Sequence, residues 1–128
     1  MDGRYRSGGP WEEKIGYSRA VRVKDFIAVA GTTAAEPDGT FAAPGDAGAQ
    51  ARRIFEIIEE ALTALGASLN DVIRVRIFVC DIDDLPAVIA VYTQRLGHVA
   101  PAATGIEVSR LIAEDALVEI EADAIVRS

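Results

Sequence analysis

Seven residues carry most of the chemistry this sequence has to offer. Near the C-terminus the run VEIEADAIV alternates, so Glu119, Glu121 and Asp123 share one face of a strand and Val118, Ile120, Ala122, Ala124 and Val126 share the other. In DVIRVRIFVC the apolar set is Ile73, Val75, Ile77 and Val79, while Arg74, Arg76, Phe78 and Cys80 point the opposite way. Two arginines and three carboxylates on exposed faces favour an ion-paired layer, with Arg74 and Arg76 set against Glu121 or Asp123. Cys80 is the only cysteine and His98 the only histidine. Neither has a partner at nucleophile or metal-ligand spacing, so Cys80 reads as a small hydrophobe at a strand end and no metal or other cofactor is expected. By contrast, PAATGIEVSRL (Pro101 to Leu111) has the look of a strand lining a site, yet its opening residues Pro-Ala-Ala-Thr carry no charge.

The elements around these residues follow from periodicity. Tyr17 to Val23 and Phe26 to Thr33 are β-branched and apolar runs separated by Lys24-Asp25, the spacing of a tight hairpin. EPDGTFAAPGD is a surface loop by its turn residues. From Asp46 to Leu65, apolar residues at Ala51, Ile54, Phe55, Ile58, Ala61, Leu62 and Leu65 keep helical spacing, with Asp46 as cap and Gly66 as terminator. The strand DVIRVRIFVC comes next. A second helix then starts at Asp83 or Asp84, accommodates Pro86 in its first turn, and carries an apolar stripe of Leu85, Val88, Ile89, Tyr92 and Leu96. Two strands follow, about Ala102 to Ser109 and Leu117 to Val126. The order ββαβαββ predicts one α+β domain over residues 1–128, with two helices on one face of a mixed sheet and residues 1–13 as an N-terminal arm. Phe78 and Val72 on the uncovered face favour its burial by another subunit.

Composition narrows the function classes. The formal charge is −7 with no basic stripe, so nucleic acid is a poor partner despite Arg4, Arg6, Arg19 and Arg22 near the N-terminus. No apolar run reaches the ~20 residues of a bilayer span, and the first residues lack a signal-peptide core. A soluble, cytoplasmic protein without membrane contact is expected.

The segments IGYSRAVRVKDFIAVAGTT, AQARRIFEIIEEAL, GASLNDVIRVRIFVCDIDD and EVSRL with VEIEADAIV resemble, in this order, the Rid family, also called the YjgF family. The resemblance runs from about Pro10 to the C-terminus. It implies a chorismate-mutase-like fold and a homotrimer with small-molecule clefts between subunits. Its deaminating (RidA) members hydrolyse enamines and imines such as 2-aminoacrylate. In those members the strand opens Pro-Ala-Arg-Ser, and the arginine holds the substrate carboxylate as a bidentate donor. Here Ala103 stands at that place. Thr104 follows it, Gly105 matches a family cysteine, and Ile89 matches an asparagine of the second helix. Retained are Tyr17, which matches the cleft tyrosine, Gly31 with its neighbour Thr32, and Glu119, which matches the carboxylate assigned to water.

The resemblance therefore implies Glu119 and Tyr17 as catalytic residues and Gly31, Thr32, Ile89, Ala103, Thr104 and Gly105 as cleft lining. Arg19 and Arg110 are further anion contacts to weigh, and SGGPWEE with Trp11 is a segment that folds over the cleft entrance or stays a loose arm. The expected function is an enamine or imine hydrolase of altered specificity. A non-catalytic ligand-binding trimer is the alternative, and the acidic charge disfavours an endoribonuclease or translation-inhibitor role.

Overall fold

A computed structural model describes residues 2–127. Six strands form one sheet: β1 (Asp2–Tyr5), β2 (Ala20–Val23), β3 (Phe26–Thr32), β4 (Val72–Val79), β5 (Ala102–Glu107) and β6 (Val118–Ile125). Three helices accompany them: α1 (Pro10–Ile15), α2 (Ala47–Ala64) and α3 (Leu85–Leu96). The sheet order is β1-β2-β3-β6-β4-β5, antiparallel except for the parallel β4–β5 pair. The expected mixed-sheet α+β architecture is present, with β1 and α1 added at the N-terminus. The arm is not loose. Asp2, Gly3, Arg4 and Tyr5 pair in register with Val23, Arg22, Val21 and Ala20.

The core lies between the sheet and the long helices. Ile27, Val29, Val75, Ile77, Val79, Val118, Ile120, Ala122 and Ala124 come from the strands, and Ile54, Phe55, Ile58, Leu62, Val88, Val91 and Leu96 from α2 and α3. Asp46 caps α2 by accepting a hydrogen bond from the Ala49 N–H at 3.0 Å. Gly66 beyond its end adopts φ +84°, the left-handed conformation that glycine takes at least cost.

Three local expectations change. In β4 the register against β6 shifts between Val72 and Arg74, which inserts Ile73 as an extra residue. This bulge interrupts the period of two, so Val72 joins Val75 in the core, and the uncovered face holds Phe78 without it. Second, Asp83 and Asp84 lie in a 3₁₀ turn capped by Asp81, and Asp84 gives α3 no side-chain cap. Third, Val91 replaces Ile89 in the buried stripe of α3, leaving Ile89 46% exposed.

The face opposite the helices carries the ionic layer. Arg76 lies 3.2 Å from Glu121 and 3.5 Å from Asp123, and the register sets Phe78 opposite Glu119. The same face exposes Val23, Phe26, Ile106 and Ile125, and every residue of edge strand β5 is exposed. Among the described residues no helix is long and apolar enough to cross a membrane.

Candidate functional site

A cavity of about 370 Å³ opens where α1, β3 and β6 meet the loop around Ile112. Tyr17, Gly31, Thr32 and Glu119, four of the eight expected site residues, line it. The other four do not. Ile89 is on α3, and Ala103, Thr104 and Gly105 are on β5, two strands away from β6 at the outer edge of the sheet. At about 4.8 Å per strand that places them roughly 10 Å off across the sheet.

Glu119 is brought inward by its neighbours. The register of β3 against β6 shifts between Val29 and Thr32, so one extra residue bulges from β3 where Ala30 and Gly31 lie. The Glu119 carboxylate takes up the room: a Cβ built on Gly31 would sit 2.7 Å from its Oε2. Any side chain at Gly31 must displace the carboxylate. Gly31→Ala is accordingly expected to fold and to lose at least about tenfold in any activity that uses Glu119, with a smaller effect on melting temperature. A crystal structure of the variant checks it by the position of Oε2.

Arg19 is the second organising residue. Its side chain is buried, and it donates from Nη1 to the Gly31 carbonyl and to Thr32 Oγ1 (3.0 Å), from Nη2 to the Tyr17 hydroxyl (3.2 Å), and from Nε to Glu12 (3.4 Å). The guanidinium thereby fixes the bulge and the tyrosine ring. Tyr17 accepts this hydrogen bond, so its own O–H remains available to donate into the cavity.

Glu12 was hidden in the SGGPWEE segment. Pro10 starts α1 at a position that needs no backbone N–H, and one turn of helix turns Glu12 inward to become 2% exposed. It accepts hydrogen bonds from the Ser7 N–H (3.0 Å) and the Ser7 hydroxyl as well as from Arg19. In the sequence, Pro10 at a helix start with Glu12 and Glu13 in the same turn is the available signal. Trp11 and Ile15 of the same helix line the cavity and are 54% and 66% exposed.

The electrostatics single out Glu119. Burial pushes its carboxyl above the usual range; the Arg19 charge pulls the other way, and Glu121 adds to the rise. A carboxyl so placed holds its proton closer to neutral pH, which suits exchange of a proton with a reacting group. The remaining candidates fall outside this cavity. Cys80 is half-buried with Sγ 3.7 Å from the Ala116 carbonyl, His98 Nε2 lies 3.2 Å from Asn70 Oδ1, and Arg110 is not part of the lining.

Comparison with known proteins agrees with this architecture. The family profile described as Endoribonuclease L-PSP matches residues 12–126. A Mycobacterium tuberculosis structure, a member of the YjgF/YER057c/UK114 family, is 42% identical, superposes with a TM-score of 0.88, and is matched over 98% of this chain and 100% of its own. A RutC family protein of Pyrococcus abyssi is 40% identical over 108 residues, 84% of each chain. The 3-aminoacrylate deaminase RutC of Acinetobacter baylyi is 34% identical over 104 residues, 81% of this chain and 82% of its own. With a bulged β3 cradling Glu119, and with this likeness along almost the whole chain, the protein belongs to the YjgF/Rid family.

Proposed function

We propose that the protein hydrolyses imines or enamines, acting as a deaminase whose substrates lack the carboxylate that the family arginine holds. The observation that carries this reading is the desolvated Glu119 carboxyl beside Gly31 and Tyr17 in a formed cavity. The relationship to a 3-aminoacrylate deaminase supports the reaction class.

In the proposed reaction an enamine first tautomerises to its imine. Water then attacks the imine carbon while the C=N π pair moves to nitrogen. Glu119 takes a proton from the water and delivers one to nitrogen, which gives a neutral carbinolamine. In the collapse of that intermediate Glu119 passes a proton to nitrogen and takes up the hydroxyl proton as the carbonyl forms, so the C–N bond breaks and ammonia or an amine leaves. The Tyr17 hydroxyl donates a hydrogen bond to the reacting centre. No redox partner or metal is needed for the atom balance.

The assembly belongs to the same proposal. A homotrimer would set the exposed β5 edge, with Ala103, Thr104 and Gly105, across the cavity of the next subunit and cover the apolar residues of the open face. The substitutions at Ala103 and Ile89 also favour a second reading, a ligand-binding trimer without turnover. The formal charge of −7 weighs against RNA as substrate.

The test is specificity. On imines generated in place by an amino-acid oxidase and by an amine oxidase, the native protein is expected to prefer the carboxylate-free set. Ala103→Arg is expected to raise kcat/KM for the α-imino acids at least about tenfold. Absence of turnover on both sets, by both proteins, would favour the binding reading.

A further inference from the structure

Among the described residues, the cavity wall contains three charged side chains: Glu12, Arg19 and Glu119. Glu12 and Arg19 are paired, both nearly buried, with 3% and 8% of their side chains exposed. The other N–H groups of Arg19 are largely committed to the Gly31 carbonyl, Thr32 and Tyr17. Its charge is therefore matched and most of its donors are occupied by the protein itself. When all three are ionised, two carboxylates and one guanidinium leave one negative charge, and the Glu12–Arg19 pair leaves it to Glu119.

Apart from Ser7, Thr32, Thr33 and glycines, the rest of the wall is apolar. Trp11, Ile15, Tyr17, Phe41, Ile57 and Ile112 contribute to it, and Ile112 is 94% exposed at the mouth. An exposed Ile and Trp beside an apolar cavity leave a surface that a ligand's apolar body would cover. The Arg19 guanidinium already lies over the Tyr17 ring, 5.4 Å from its centroid, so the exposed Trp11 face is the one that can attract a ligand cation through its ring quadrupole, and a desolvated carboxylate does so by charge. Ala103, Thr104 and Gly105, the residues proposed to close the cavity from a neighbouring subunit, add no charge.

We propose that this cavity selects a monocation with an apolar body, a protonated imine or a primary amine of the same shape, with Glu119 as its counter-ion and the Glu12–Arg19 pair as a neutralised floor that gives a carboxylate no free cation. The inference rests on the hydrolase reading only in naming an imine, here in its protonated form, as one of the ligands. Ligand recognition does not require turnover. The role of Glu12 is positional: it holds Arg19 and cancels its charge without touching the ligand.

The experiment compares two ligands of nearly equal length, 2-phenylethylamine and 3-phenylpropionate, by calorimetric titration of the intact protein at about pH 8, where both are ionised. The amine is expected to bind at least about tenfold more tightly than the carboxylate. Glu119→Gln should weaken the amine about tenfold or more without weakening the carboxylate. Glu12→Gln should strengthen the carboxylate about tenfold relative to the amine, because it frees the Arg19 charge. If Glu12→Gln fails to fold, the native protein and Glu119→Gln decide the matter alone. Equal or tighter binding of the carboxylate by the native protein, an amine affinity indifferent to Glu119→Gln, or binding of neither ligand overturns the proposal. Amine binding without any imine turnover upholds this inference and overturns the hydrolase; turnover with no preference for the amine does the reverse.

Discussion

Glu119→Gln is expected to slow imine hydrolysis by about a hundred- to ten-thousandfold, the range attached to loss of a general acid–base group. Glutamine keeps the shape of the side chain and its fit against Gly31, but it cannot shuttle a proton. The same substitution has a second, opposite signature in stability. Desolvation raises the Glu119 carboxyl above its ordinary value of 4.5 in the folded protein, with Arg19 offsetting part of the rise and Glu121 adding to it. Between the ordinary and the raised value the folded chain holds a proton that the unfolded chain has released. Stability contributed by this group is therefore full below 4.5 and is lost as pH rises through the folded-state value. At neutral pH Glu119→Gln should melt above the native protein, and the gap should close as pH is lowered to the ordinary carboxyl range. Thermal melts of both proteins across that interval measure it, and a gap that widens on acidification contradicts the account.

Glu12→Ala is expected to cost about 3 kcal/mol, the lower part of the range for removing one partner of a buried ion pair. The loss is large because Arg19 stays buried beneath α1 with its Nε unpaired, and Ser7 loses the acceptor for both its N–H and its hydroxyl. A drop of that size lowers the melting temperature by about 10 °C in a domain of this length. Glu12→Gln should recover part of it, since an amide oxygen still accepts from Arg19. Chemical denaturation at constant slope is the measurement. An unchanged midpoint for Glu12→Ala would mean that α1 does not secure the N-terminal segment to the sheet.

Much of this fold could be read from patterns of two and of three to four. The alternation in β6 assigned every residue from Val118 to Ala124 to its face, and the Asp46 cap and Gly66 terminator framed α2. Bulges defeat such patterns, because one inserted residue reverses the faces beyond it. Ile73 hid the burial of Val72, and the extra residue in β3 hid the reason for glycine at position 31. The N-terminal segment was illegible for another reason. β1 has four residues, too few to display a period, and Glu12 looks like any solvated acid until the fold sets Arg19, the residue just ahead of β2, 3.4 Å from it. Ile89 misled because an apolar residue on a helix is not obliged to face the core, and in α3 Val91 does so instead.

The eight expected site residues divide in the same physical way. Tyr17, Gly31, Thr32 and Glu119 share a cavity because β3 and β6 are hydrogen-bonded neighbours and Arg19 ties Tyr17 to them. Ile89 lies on α3, and Ala103, Thr104 and Gly105 lie on the edge strand β5. A site built from both groups needs a second copy of the chain, which is why the trimer and the chemistry stand together in the proposal.

The most direct measurement is the rate at which a carboxylate-free imine, released by an amine oxidase acting on 2-phenylethylamine, is converted to its aldehyde and ammonia by the native protein and by Glu119→Gln. Clear acceleration over the spontaneous rate is expected with the native protein, and near-spontaneous decay with the variant. Equal rates in the presence of the two proteins would contradict it.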